Sequence, residues 1–239
     1  MTIFEKLFGI KESQVKKTCV AMPLLKKDML DGLGVKGFSR GMLYGAGNSL
    51  SFTLIHTGVG AGLVGDAVLY LGDTGCKNII LLGSCGSVKE QNGLKIGGLV
   101  APSISYSLES FSEMLLGDRN DWRVFYPDKG LLENFLNAQK AHDIKKVACL
   151  SAGSLKLEED YVEAFDERAI QVVDMECASL FSASGYIKRK AMALFYITDI
   201  INKKPFYAGL NAEDKKALSG SIKSSARILC EFIKKNLNA

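Results

Sequence analysis

Short apolar runs alternate with stretches of helical periodicity along most of this chain, and no other feature limits its fold as strongly. Thr18–Met22, Phe52–Thr57, Asn78–Gly83, Leu99–Ser103, Lys146–Ser151, Gln171–Val173 and Ala191–Thr198 read as buried strands. Between most of them, Lys26–Gly34, Gly60–Gly75, Gly130–His142, Leu157–Glu167 and Asp174–Tyr186 carry apolar residues at helical spacing. A last helix is expected from about Ala212 to Leu237, opened by Asn211 as cap with Asp214 three residues later. Near-continuous apolar strands need cover on both faces, so the pattern predicts an α/β sandwich. Neither a linker nor an internal repeat divides 18–239, which reads as one domain. Residues 1–17 read as an N-terminal extension, with Ile3, Phe4, Leu7 and Phe8 on one face of a short helix docked on the body. A membrane anchor is the sharper alternative for that helix. Ser105–Asp128, which holds the single tryptophan, Trp122, has a weak period and the length of an excursion over the sheet.

With 239 residues, 47% of them hydrophobic, the chain can bury a large core. Its net charge of +4 is spread over lysine pairs such as Lys16-Lys17 and Lys234-Lys235, without a basic stripe, so no nucleic-acid surface is expected. Six widely spaced cysteines form no CxxC, and with only His56 and His142 no zinc-ligand spacing arises, so no metal is expected. The N-terminus lacks a cleavage-type site and no apolar run approaches a membrane span, so a soluble, cytoplasmic protein with no membrane partner is the expectation.

Four motifs stand at the carboxyl ends of expected strands. Gly60-Ala61-Gly62-Leu63-Val64-Gly65 matches a dinucleotide-binding glycine pattern, yet the next strand ends in Gly83-Ser84-Cys85-Gly86 without the ribose-binding carboxylate such folds need. Gly58 and Gly60 still allow backbone N–H groups at a helix start to approach a ligand, or close helix packing. Ser84, flanked by glycines, offers a hydroxyl and neighbouring N–H groups to an anion, or marks a simple strand-to-loop turn. In Asp174-Met175-Glu176-Cys177-Ala178 the acids either offset a helix dipole or, for Glu176 in its apolar setting, accept from vicinal hydroxyls. Asp199, after Thr198, ends an apolar strand; burial would keep it protonated and able to donate to a leaving group, and a turn cap is the plainer role.

Taken in order, the glycine loop, Gly-Ser-Cys-Gly, Asp-Met-Glu and Thr-Asp resemble the purine nucleoside and uridine phosphorylase family from about Thr18 to the last helix. Arg40-Gly41-Met42-Leu43 is similar to a further family segment. The resemblance implies a three-layer α/β/α sandwich with a mixed, largely buried central sheet. It implies that Glu176 binds the ribose hydroxyls with Met175 against the sugar, and that Asp199 donates to a purine, with Cys85, Gly86 and Thr198 in the substrate pocket. Phosphate, as co-substrate and with no other cofactor, would meet Ser84, Lys26 and, from a neighbouring subunit, Arg40; a homodimer or larger homo-oligomer follows.

The chain departs from the family at several positions. Leu81 stands where typical phosphorylases carry an arginine, and Met22-Pro23-Leu24-Leu25-Lys26 lacks the phosphate-loop glycine. The N-terminal histidine is absent, and Leu155 and Lys156 occupy the base-stacking positions. The hydrolase branch needs a glutamate near Leu24. Phosphorolysis of a purine nucleoside, its hydrolysis, and nucleoside binding without catalysis therefore all stay open.

Overall fold

The computed structural model describes residues 1–25, 27–110, 122–201 and 203–237. Helix α1 (Ile3–Phe8) leads to strand β1 (Thr18–Met22), α2 (Lys27–Gly32), β2 (Lys36–Arg40), β3 (Gly45–Asn48) and β4 (Thr53–His56). Then come α3 (Ala61–Leu71), β5 (Asn78–Ser87), β6 (Leu99–Leu108), β7 (Arg123–Phe125), α4 (Lys129–Ala138) and β8 (Ile144–Ala152). A 3-10 turn (Glu158–Tyr161), α5 (Val162–Glu167), β9 (Val172–Asp174), α6 (Cys177–Tyr186), β10 (Lys190–Ile200) and α7 (Ala212–Asn236) complete the order.

The strands form one mixed sheet in the order β10-β6-β8-β9-β5-β1-β4-β3-β2, with β7 beside β6. Because β10 also pairs with β5, the run β5-β10-β6-β8-β9 closes on itself, while β1, β4, β3 and β2 extend it as an open wing. Period-two side-chain alternation sorts the central strands between two cores. Cys19, Ala21, Ile79, Leu81, Ala193 and Phe195 face the core filled by α1, α3 and α6. Val20, Met22, Ile80, Leu82, Met192 and Leu194 face the one filled by α2, α4 and α7. That is the expected three-layer sandwich.

Helix α1 is held by Phe4 and Phe8, stacked at 4.2 Å, with Phe8 also 4.6 Å from the Tyr44 ring. Among the described residues no helix is long and apolar enough to cross a membrane. Of Ser105–Asp128, the first part continues β6 to Leu108, Arg123–Phe125 pairs with it as β7, and Trp122 packs toward Tyr161 and Phe165. Residues 111–121 lie outside the described residues.

Two expectations on element ends are corrected. Gly83-Ser84-Cys85-Gly86 is no strand-to-loop turn: β5 runs through it to Ser87, because β10 pairs with it residue by residue. The helix expected from Asp174 starts at Cys177, since Asp174 ends β9 and caps the helix from outside.

Candidate active site

Gly86 is the centre of the arrangement. It pairs with Val173 of β9 on one side and with Asp199 of β10 on the other, so the two acidic motifs approach β5 from opposite flanks. A register shift between Ile197 and Asp199 leaves Thr198 as a bulge, a device that re-aims the following side chain. The Thr198 hydroxyl lies 2.6 Å from Asp199 Oδ1 and 3.2 Å from the Cys85 carbonyl. A Cβ at position 86 would sit 2.8 Å from Asp199 Oδ2, so only glycine leaves the carboxyl its place. Gly86→Ala is therefore expected to keep the fold but cost at least about tenfold in turnover by displacing Asp199. Melting temperature and kcat measured together check this.

On the other flank, Asp174 organises the turn into α6. Its Oδ2 accepts the backbone N–H groups of Glu176 (2.9 Å) and Cys177 (2.7 Å), and its Oδ1 accepts the Ser151 hydroxyl at 2.6 Å. Ser151 Oγ in turn accepts the Ala178 N–H at 2.8 Å. Asp174 thus meets the first N–H groups of the helix, where its charge offsets the dipole as weighed for these acids. Cys149, Asp174 and Cys177 bring possible ligand atoms within 4.8 Å of one another, but the group is buried, and Cys149 Sγ donates to Asp174 Oδ1 at 3.4 Å. Its chemistry serves the cap.

Glu176 is left free of that duty. Its Oε1 accepts the Gly60 N–H at 2.8 Å, across 116 residues of sequence. This explains the glycine loop: Gly58 and Gly60 adopt φ of 80° and 113°, which L side chains rarely adopt, and aim an N–H at a protein carboxylate instead of a dinucleotide.

These groups line a cavity of about 270 Å³, near the roughly 300 Å³ lower end for small-ligand pockets. Ser84, Cys85, Gly86, Met175, Glu176, Thr198 and Asp199, all expected from sequence, line it, as do Asp174 and Leu155. Leu24, Val59 and Phe206 complete a rim of exposed apolar side chains. Among the described residues every charged group in the lining is an acid. Lys26 lies outside the described residues. Arg40 is exposed at the end of β2 and does not line its own chain's cavity; it lies near His56, whose imidazole burial, and then the Arg40 charge, push below its ordinary value. A second cavity of about 320 Å³ between α2 and α7 is lined, among the described residues, by Met29, Leu218 and Ile222 with Lys215 and Lys223.

Burial dominates the electrostatics. It pushes the Glu176 carboxyl up to about 8, helped by the Asp174 charge and opposed by the Gly60 N–H. It raises Asp199 against the Thr198 hydrogen bond. Glu158, on the 3-10 turn, rises to about 8 and Glu109, at the end of β6, to about 7, both chiefly through burial. A carboxyl raised on folding stabilises the folded state fully only below its unfolded value and loses that contribution as pH climbs through the folded one. The protein is thus expected to melt at least about 5 °C lower near pH 8.5 than near pH 5.5, as a thermal scan across pH would record.

Given this geometry, the comparison with known families is decisive: the family model described as the Phosphorylase superfamily matches residues 33–234. The chain belongs to the phosphorylase superfamily. Within the superfamily, a protein named purine nucleoside phosphorylase DeoD-type 2 from Vibrio vulnificus (strain YJ016) is 28% identical over 134 residues, 55% of each chain. The match thus spans about half the length of that curated relative. Uridine phosphorylase from Vibrio fischeri ES114 superposes with a TM-score of 0.76 over 95% of both chains at 17% identity. The Campylobacter jejuni 5'-methylthioadenosine/S-adenosyl homocysteine nucleosidase superposes at 0.73, over 92% of this chain and 99% of that one, at 14% identity. The superfamily thus contributes both phosphorylases and nucleosidases as fold neighbours.

Sequence reasoning missed Phe206 in the lining, and Glu158 and Glu109 as acids raised by burial outside it. The Phe206-Tyr207 pair shortly after Asp199 was a usable signal, since exposed aromatics beside a strand-end motif invite a ligand; the two glutamates gave none.

Proposed function

We propose that the chain cleaves the N-glycosidic bond of a purine nucleoside, with phosphate as the only co-substrate. The observation that carries this reading is that Glu176 and Asp199 reach one cavity from opposite sides of Gly86. Glu176 accepts the ribose hydroxyls, Met175 packs against the sugar, and Asp199 gives a proton to the departing purine. As the bond lengthens, positive charge grows on the sugar, and the acidic lining stabilises it more than it does the ground state. Phe206 offers the base an aromatic face from a different loop than expected.

Phosphate needs cations that the described lining lacks. In this reading Ser84 contributes its hydroxyl, Lys26 and the Arg40 of a second copy contribute charge, and the working unit is at least a dimer. Six free cysteines, five of them buried, fit a reducing cytoplasm.

The acid-only lining favours one second reading, hydrolysis by water. Base release from a panel of nucleosides, with and without phosphate, separates the two. Phosphate dependence that Arg40→Ala weakens at least about tenfold supports phosphorolysis; release indifferent to phosphate supports hydrolysis. Absence of release from every purine nucleoside overturns both.

A further inference from the structure

The last turn of α1 is completed by a distant part of the chain. The final carbonyls of a helix have no partner within it and must find one outside. Those of Lys6 and Leu7 find it in the turn Gly41–Tyr44, which joins β2 to β3. The Met42 N–H donates to the Lys6 carbonyl at 2.9 Å, and the Leu43 and Tyr44 N–H groups both donate to the Leu7 carbonyl, at 3.3 and 3.0 Å. The Gly41 N–H closes the turn on the Tyr44 carbonyl at 2.8 Å. Glycine on both sides lets the two backbones touch. A Cβ at position 41 would overlap the Leu7 carbonyl, and one at position 9, where φ is 76°, would lie 2.9 Å from the Arg40 carbonyl carbon. Behind this contact the buried Phe8 ring packs 4.6 Å from that of Tyr44, whose hydroxyl donates to Asp66 of α3 at 2.7 Å. A chain of contacts thus runs from α3 through Tyr44 and α1 to the residue that follows Arg40.

Arg40 is the last residue of β2 and is exposed. Among the described residues it forms no ion pair, so the backbone that carries it sets the direction in which it leaves the sheet. We propose that α1 is a positioning element for Arg40: by clamping Gly41–Tyr44 it fixes how the guanidinium is presented to the phosphate of a second copy. The inference rests on the phosphorolytic reading for that consequence, though not for the clamp itself. A guanidinium grips phosphate through two N–H groups in a rigid fork, and an error of about 1 Å in its placement can cost a hundredfold. Gly41 and Phe8 act in this only through Arg40, and neither touches the substrate.

The test is Gly41→Ala in the full chain. Gly41 has no positive φ, so the added methyl strains nothing locally and acts by pushing α1 off the turn. Amide hydrogen exchange at Met42, Leu43 and Tyr44 should then quicken at least about tenfold. In the same protein kcat/KM for phosphate should fall at least about tenfold, while kcat at saturating phosphate and KM for the nucleoside stay within about threefold. Added to Arg40→Ala, Gly41→Ala should cost nothing further, because its effect passes through the arginine. Unmoved exchange overturns the clamp. Quickened exchange with a normal kcat/KM for phosphate, or an equal further loss in the Arg40→Ala background, overturns the positioning role, since general damage predicts the latter. Phe8→Leu, which thins the contact with Tyr44 and leaves the turn untouched, should give the same pattern in milder form and replaces Gly41→Ala if that variant does not fold. Base release indifferent to phosphate in the unmodified protein removes the phosphorolytic reading and the role proposed for Arg40 with it, and quickened exchange in Gly41→Ala then keeps the clamp alone.

Discussion

Asp199→Asn is expected to lower purine release at least about a hundredfold in kcat at pH values where Asp199 still carries its proton, with KM changed only a few fold, as loss of a positioned acid commonly does. The asparagine amide has the shape of the carboxyl it replaces and can take the same place opposite Gly86, with its carbonyl toward the Thr198 hydroxyl that now lies 2.6 Å from Asp199 Oδ1. It can donate a hydrogen bond but cannot give up a proton. The loss should thus fall on the chemical step and leave binding nearly intact. Burial already disfavours the charged form of this carboxyl, so the amide should not lower stability at neutral pH. A purine nucleoside alkylated at N7 provides the decisive contrast, because its base carries a positive charge and leaves without being protonated. The variant should cleave that substrate within about tenfold of wild type. An equal loss on both substrates would mean that Asp199 acts by shape or charge and not as an acid.

How much of this site could be read from residues alone depends on the range of the forces involved. Thr18–Met22 was legible to the residue because five successive side chains there are buried and the run needs no partner to declare itself. Asn78–Gly83 was read too short, since nothing local in Gly-Ser-Cys-Gly favours a strand and pairing from β10 imposes one. Strands β2 and β3, with sequences KGFSR and GAGN, carry no period of two and were not expected at all; their ladder to β4 holds them. The site residues in compact motifs were legible as types, whereas their partners were not. That Gly60 serves Glu176 is a contact between distant segments, and Glu158 sits in Glu-Glu-Asp, which reads as a solvated run although the first of the three is buried. Arg40 could be named but not located in a site, because a single chain shows it exposed.

Glu176→Gln is expected to lower kcat/KM at least about a hundredfold, for a reason that the glycine loop makes specific. The Gly60 N–H points at Glu176 Oε1 from 2.8 Å and needs an acceptor there. A glutamine in its place must turn its carbonyl to Gly60, because the reverse orientation sets two donors against each other. Its NH2 group then occupies the place of the second carboxylate oxygen. Ribose hydroxyls that donate to the carboxyl oxygens would meet a donor, and the ionised form that the developing sugar cation favours in this raised carboxyl is gone as well. The unmodified protein should lose affinity when the 2′- or 3′-hydroxyl of the nucleoside is removed, whereas the variant should lose little further. This non-additivity identifies a direct contact, and binding of the free purine base, which has no sugar, should be unchanged in both. If removing a hydroxyl costs the variant as much as the parent, the carboxylate is not what holds the sugar.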